Sequence, residues 1–442
     1  MSAPNIVYIH SHDTGRHVQP YGHAVPTPNL QRLAEEGVLF RQAFCSNPTC
    51  SPSRASLLTG QCAHSSGMLG LAHRGFSLAD YGRLLPHTLA RAGYLTVIAG
   101  LQHIALFRGR HDAVYRQLGY DRHFGNQGEA EENAAQFLDN APRQPFFLDV
   151  GFWETHREFP AHGEDIKPGY CLPPAPLPDT PQTRLDVANF KQMARVLDRK
   201  MGRVFDALDR NGLAGNTLVV CTTDHGIAFP RMKCDLTDSG TGVMLVLRGP
   251  GAFGGGRVID SMVSHLDIFP TICELAGIKP PAWLQGASLC ALVRGESSAL
   301  HDALFSEVNY HAAYEPKRAV RTSRWKYIRR YDPCGKTILP NTDESPSKDC
   351  LLAHDWKNRH TEPELLHDLV YDPHEAANLC GEPGHAGVLA EMRARLDGWM
   401  RETDDPILRG LPVRAPEGAV ANRIDGASSG DEPMQINHDS IG

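Results

Sequence analysis

The chain has 442 residues, of which 41% are hydrophobic and 21% charged, with a formal net charge of -7. Its length exceeds one ordinary core and favours a large domain with a smaller one beside it. A mild acidic excess without concentrated Lys and Arg argues against a nucleic-acid partner, and no window approaches the roughly 20 apolar residues of a membrane span.

The opening MSAPNIVYIHSHD lacks a basic region, a long apolar stretch and a small-residue cleavage site, so a cytoplasmic location is expected. NIVYIH, residues 5–10, reads as a buried parallel strand that delivers polar residues to its carboxyl end. TPNLQRLAEEGVLF reads as a helix with Thr27 at its start, Pro28 in its first turn and Gly37 as its stop. LPHTLARAGYLTVIAG supplies a helix ending at Gly93 and a strand from Tyr94 to Ala99, and PFFLDVGF a further strand. From Asp186 to Leu208, apolar Phe190, Ala194, Leu197, Met201, Val204 and Leu208 recur at helical spacing, ended by Asn211 and Gly212. NTLVVCTTDHG is the next strand. Alternating strands and helices predict an α/β sheet covered on both faces, with its site at the carboxyl ends of strands, where HSHD, WETH and TTDHG fall.

The texture becomes more polar near Ala303, which predicts a catalytic domain over 1–302, a smaller α+β domain over 303–410 and a polar segment over 411–442. That last segment is expected as a disordered tail or an arm ordered against a neighbouring subunit, which leaves a homo-oligomer open. The 11 cysteines are scattered, with no Cys-x-x-Cys pair, so neither a disulfide framework nor a structural zinc site is expected.

Two strand ends carry adjacent ligand-type residues, His12-Asp13 and Asp224-His225. A divalent cation draws ligands from several loops into one crevice, which such pairs can supply. Taken singly, a strand-end Asp is more often a cap and a lone Cys more often packing. Cys50 stands apart because Pro52, Arg54 and a helix-like run follow it, which places it at a helix N-terminus where anions are favoured.

The stretch CSPSRASLLTG, residues 50–60, resembles the Cys-x-Pro-Ser-Arg signature of type I sulfatases and the Leu-Thr-Gly that follows it there. The resemblance extends through PNIVYIHSHDTG, CTTDHG, VSHLDIFPTI and VYDPHEAANL, and within sulfatases it is nearest to the N-sulfoglucosamine sulfohydrolases. It implies an alkaline-phosphatase-like α/β/α sandwich with a smaller C-terminal α+β domain. The implied activity is metal-dependent hydrolysis of sulfate esters or sulfamates on a small sulfated sugar, aryl or alkyl substrate. By the same resemblance, a formylglycine-generating enzyme oxidises Cys50 to formylglycine; one hydroxyl of its hydrate attacks sulfur, and the other expels sulfate from the covalent sulfo-enzyme. Asp13, Asp224 and His225 match the family's metal ligands and, with His12 and residue 50, make up the expected site for one divalent ion. Arg54 would hold the hydrate, His103 assist deprotonation of its second hydroxyl, His156 face the leaving group and Lys233 grip sulfate.

Two positions depart from the family pattern. His12 stands where an aspartate is usual, which either brings Mn2+ or Zn2+ beside the family's Ca2+ or Mg2+, or removes residue 12 from the ligand set. Leu101 stands where the family has a lysine, and Arg108 or Arg110 is the nearest replacement charge. These departures keep open a phosphonate monoester or phosphodiester hydrolase on the same scaffold, and a catalytically silent anion-binding homologue. Of the remaining residues, His10, His17 and His23 read as crowding in a chain with 22 histidines, His265 as strand-end packing, and Tyr310 with His311 as structural or pocket-lining.

Overall fold

A computed structural model describes residues 3–107, 111–124, 127–332 and 334–436. The first strand explains the architecture: in β1 (Asn5–Ser11), Ile6 and Tyr8 enter one hydrophobic core while Val7 and Ile9 enter another. A strand whose alternate side chains are both buried must have helices on each face, hence its unbroken apolar sequence. The chain continues through β2 (Val38–Phe44), β3 (Leu95–Gly100), β4 (Arg122–Phe124), β5 (Phe146–Gly151), β6 (Thr217–Thr223), β7 (Leu245–Arg248) and β8 (Arg257–Ser264), which form one sheet in the order β4-β3-β5-β1-β6-β7-β2-β8. Only β7 runs antiparallel to its neighbours.

The helices Pro28–Glu36, Ala130–Asp139 and Pro181–Arg210 cover one face; Cys50–Thr59, Leu85–Arg91 and Ile268–Ala276 cover the other. The long helix starts at Pro181, five residues before its apolar spacing becomes readable. Its first turn is polar and is held by Thr180, whose side chain accepts from Thr183 N while the Thr183 hydroxyl bonds back to Thr180 N.

β9 (Leu304–Tyr310), β10 (Tyr314–Arg321), β11 (Trp325–Arg330) and β12 (Glu364–Asp368) form a separate antiparallel sheet packed by the helix Ala386–Glu402. The polar segment after 410 is ordered against its own chain as far as residue 436 rather than being a free tail. Val413 is buried with its carbonyl accepting from Tyr310 Oη at 2.6 Å, and Ala427 O accepts from Lys348 Nζ at 3.0 Å. Few apolar residues suffice there because backbone carbonyls make the attachments. Among the described residues no helix is long and apolar enough to cross a membrane.

Buried charge joins the two sheets. Glu307 on β9 donates its backbone N–H to Ser46 O just ahead of Cys50, and its carboxylate meets His64 Nδ1 at 2.9 Å. Arg318 on β10 pairs with Asp405 through two bonds of 2.6 and 2.9 Å, all fully buried. Cys62, His64 and Glu307 also form a compact Cys/His/carboxylate group, but Asn309 and the His64 backbone N–H complete the Glu307 bonds without a further ligand.

Asp405→Ala leaves the Arg318 guanidinium buried without its carboxylate, and a loss of about 3–5 kcal/mol is expected in denaturant unfolding. Glu307 contributes a pH dependence. Burial alone would raise its pKa, but His64 and Arg318 outweigh burial and hold it at about 2. The unfolded carboxyl titrates near its ordinary 4.5, so the unfolded state binds more protons between the two values. Its contribution is complete above pH 4.5 and is lost as pH falls toward 2; Glu307→Gln should flatten the acid limb of stability against pH.

Candidate active site

β1 and β6 are neighbours in parallel register, with Ser11 opposite Thr223, so His12-Asp13 and Asp224-His225 leave the sheet side by side. Asp224 Oδ1 accepts from the backbone N–H groups of Asp13 at 2.8 Å and His225 at 2.9 Å, which locks the two loops together. Gly226 is required next, since a Cβ there would lie 2.1 Å from Ser239 O. Asp13, His103, Arg231 and Cys234 are four of seven non-glycine residues with positive φ among the described residues, and all lie in loops around this crevice. Such backbone persists where the surroundings over-determine it, as at functional sites.

His12, Asp13, Cys50, Asp224 and His225 are all buried and offer ligand atoms within 4.8 Å of one another. His12 Nδ1 is 2.8 Å from Asp13 Oδ1 and 3.2 Å from Asp224 Oδ2; His225 Nε2 is 3.2 and 3.7 Å from the same two oxygens. Donors about 3 Å apart are what a cation with bonds of about 2.0–2.4 Å requires. His225 Nδ1 lies 3.0 Å from Gly226 O, to which it donates, so the Nε2 lone pair faces the carboxylates; that Nε2 is buried without a hydrogen-bond partner. A ring fixed through one nitrogen with the other free to ligate fits a metal site. The residues therefore fit a divalent ion, with His12 among the converging donors.

The carboxylates are ionised against the tendency of burial. The Lys233 ammonium opposes burial at Asp13, whose carboxyl lies well below the ordinary range, and the Arg54 guanidinium opposes it at Asp224, whose carboxyl is lowered as well.

Cys50 is the first residue of its helix and 2% exposed. Burial pushes its thiol well above the ordinary range, with Lys233 opposing, so the unmodified side chain is a neutral thiol. One turn on, Ser53 Oγ donates to Asp224 O at 2.5 Å, while Arg54 Nη2 donates to Asp224 Oδ2 at 2.9 Å and Ser11 O at 3.0 Å. Arg54 also donates to His10 Nδ1. An arginine only donates, so His10 carries its proton on Nε2 and gives it to Asp149 Oδ1 at 2.9 Å, with Tyr120 donating to the other oxygen. His10 is thus part of the scaffold behind Arg54, a role that sequence crowding concealed. Arg54 braces Asp224 in this arrangement.

His103 and His156 flank His12, with ring centroids 5.5 and 4.5 Å away. Gln102 fixes the His103 loop by bonding Ala105 O and the N–H groups of Ile104 and Ala105. Lys233 Nζ bridges Asp13 Oδ2 at 2.9 Å and Asp343 Oδ2 at 3.0 Å. Sequence reasoning missed Asp343, which lies in TDESPSK with no signature around it. It also missed His73, whose Nδ1 is 3.3 Å from His103 Nε2, and Trp153, whose ring lies 4.5 Å from His156.

Leu101 is buried and bonded through its N–H to Gly151 O, so position 101 brings no charge to the crevice. Arg108 and Arg110 lie outside the described residues. His311 is buried close to Lys233, and burial with Lys233 keeps its imidazole well below the ordinary range. Tyr310 packs between Phe76 and Tyr314 in the core. His265 is buried beside Thr222 Oγ1 at 3.0 Å, and His17 packs against His23, ring centroids 4.5 Å apart, in a separate cavity of about 720 Å³.

Residues 4–278 match the sulfatase family model, and residues 233–350 match that for N-sulphoglucosamine sulphohydrolase, C-terminal. The chain belongs to the sulfatase family. This sulfatase is 30% identical to N-sulphoglucosamine sulphohydrolase of Homo sapiens, over 91% of this chain and 89% of the relative. It is 27% identical to a Delta 4,5-hexuronate-2-O-sulfatase of Bacteroides thetaiotaomicron, over 93% and 92%. Among solved structures, a 2-O GAG sulfatase superposes with a TM-score of 0.70 at 22% identity, over 94% and 95% of the two chains. A protein solved with its substrate D-glucosamine-2-N,6-O-disulfate superposes with a TM-score of 0.69 at 18% identity, over 91% and 99%. The sulfatase is thus a sulfuric ester hydrolase on the large mixed sheet with a small antiparallel second sheet.

Asp224→Ala removes one ligand atom and the brace between two loops together. Elemental analysis of the purified sulfatase should find about one equivalent of divalent metal in the parent and under a tenth of that in a folded Asp224→Ala chain; equal metal in both would place the ion elsewhere.

Proposed function

We propose that this sulfatase removes sulfate from O-sulfated or N-sulfated sugars, using formylglycine made from Cys50 and one divalent cation. The observation that carries the reading is the position of Cys50, at the first turn of a buried helix with its sulfur among the four donors of His12, Asp13, Asp224 and His225. The names of the curated relatives, one an N-sulphoglucosamine sulphohydrolase and one a hexuronate sulfatase, support a sugar substrate.

A geminal diol at residue 50 supplies one hydroxyl to attack sulfur and a second to release sulfate. A bound divalent ion supplies positive charge that favours an ionised hydroxyl and neutralises sulfate oxygens. The chain does the rest. Arg54 keeps Asp224 in place from the helix that carries residue 50. Lys233, held charged by Asp13 and Asp343, presents an ammonium to the sulfate oxygens. His156, with Nδ1 engaged by Arg157 O at 2.6 Å, keeps Nε2 for the leaving atom. His103 stands beside His12 to hold the proton of the second hydroxyl.

With Cys50 2% exposed, a formylglycine-generating enzyme has access to it only before the domain closes, so conversion precedes folding. Peptide mass spectrometry on the tryptic fragment 42–54, from a host that carries the converting enzyme, should show an aldehyde at position 50 and a thiol at Cys45. Cys50→Ala should lower turnover of 4-nitrophenyl sulfate by about 1,000-fold or more. A thiol at position 50 in active protein would overturn the formylglycine reading. The imidazole at His12 favours one second reading, a phosphodiesterase; turnover of bis(4-nitrophenyl) phosphate above that of the aryl sulfate would select it.

A further inference from the structure

The cavity of about 720 Å³ that holds His17 is separate from the crevice: none of His12, Asp13, Cys50, Asp224, His225 or Lys233 lines it. Its polar end is Arg16, three residues past Asp13. Gly15 N donates to His225 O at 2.9 Å, and Gly15 O accepts from Met244 N at 2.9 Å, so the backbone is tied down immediately before Arg16. The guanidinium lies over the Phe44 ring at 4.4 Å and against Gly242, where a Cβ would come within 2.9 Å of Cζ.

This cation is poorly matched by the chain itself. Arg16 Nη2 donates to Ala43 O at 2.7 Å, but Nε is buried without a hydrogen-bond partner. Among the described residues no carboxylate lies within ion-pair distance of Arg16. The one carboxylate that lines the cavity, Asp238, is taken by Arg321, with bonds of 3.0 and 2.9 Å, and by Lys326 at 3.1 Å. Arg321 lies over the same Phe44 ring at 4.4 Å, so Arg16 stands beside a second guanidinium. A buried donor without an acceptor and a cation without a counter-charge are both costly. Lys191, on the long helix, adds another positive charge to the lining. The histidine beside Arg16 adds none, because burial, with His23 and Arg16 close by, lowers His17 to about 3.

The rest of the cavity is apolar. The Phe190 ring lies 6.5 Å from His17 and 5.9 Å from Phe229, and Val187 and Ile227 complete the buried wall. At the mouth Tyr170 and Leu172 are 90% and 77% exposed, which leaves large apolar side chains in water beside a concave surface. A few hundred cubic ångströms, apolar walls and a small number of convergent polar groups are the attributes of a small-molecule site.

We propose that this cavity is a second ligand site, which takes a small organic anion with an apolar or aromatic body: the anionic group meets Arg16, and the body lies between Phe190, Phe229 and the Tyr170 rim. The hydrolytic reading neither requires this site nor assigns it. Charge complementarity selects the anion, since Arg16 is the lining group that lacks a counter-ion, and a guanidinium gains its strongest hydrogen bonds from a carboxylate or another oxyanion.

Calorimetric titration of the full chain with 2-naphthoate, 2-naphthamide and acetate tests the proposal. The parent should bind one equivalent of naphthoate, and acetate about 100-fold or more weakly, because acetate leaves the walls uncovered. Arg16→Gln should weaken naphthoate by about 10- to 100-fold and leave naphthamide within about 3-fold, since the amide carries no charge for Arg16 to meet. Tyr170→Ala, on the exposed rim where the fold does not depend on it, should weaken naphthoate and naphthamide alike, and it keeps the test decisive if Arg16→Gln does not fold. No naphthoate binding to the parent, acetate binding as tightly as naphthoate, equal loss of both aromatic probes in Arg16→Gln, or no loss of either in Tyr170→Ala overturns the proposal.

Discussion

The site depends on one carboxylate. Asp224 accepts from the Asp13 and His225 backbones with one oxygen and from Arg54 with the other, while its own carbonyl accepts from Ser53. Three segments that are distant in sequence, the ends of β1 and β6 and the start of the Cys50 helix, are thereby held to one another within hydrogen-bond length. A carboxylate can do this because it has two oxygens, each with room for more than one donor. Burial strengthens each bond by removing water as a competitor.

The charge balance around that centre explains the elaborate support behind it. Burying Asp13 and Asp224 together is unfavourable by mutual repulsion and by loss of solvent. The fold answers with Arg54 and Lys233, each fixed by further partners: His10 and Asp149 behind the arginine, Asp343 beside the lysine. The two histidines add donors without adding negative charge. His12 thus brings no negative charge to the cluster, and the buried Leu101 brings no positive charge to the same crevice.

The second sheet belongs to this arrangement rather than hanging from it. Its edge strand β9 bonds to Ser46 beside Cys50, Arg318 and Asp405 form an ion pair beneath it, and its excursion between β11 and β12 carries Asp343 and the buried Lys348. The central sheet and the helix behind it thus supply His12, Asp13, Asp224, His225 and Cys50, and the smaller unit supplies Asp343 beside Lys233.

The sequence alone determined the parts whose information is local. An apolar run feeding HSHD, another feeding TTDHG, and CSPSRASLLTG at a helix start are each complete within a dozen residues, because strand burial and helix capping act over that range. Strand pairing is different. Neither the placement of β7 between β6 and β2 nor the register that sets Ser11 beside Thr223 is written in any one segment, and the short β4 and β7 have too few residues to show a pattern. The polar first turn of the helix at Pro181 and the ordered segment after 410 were obscured for a related reason: capping bonds and carbonyl contacts hold them, and these leave no hydrophobic period. His10, His73, Trp153 and Asp343 became legible only in three dimensions. A charged or aromatic side chain acquires its role from the partner it meets, and those partners lie between 30 and 139 residues away for His73 and His10 and 110 away for Asp343.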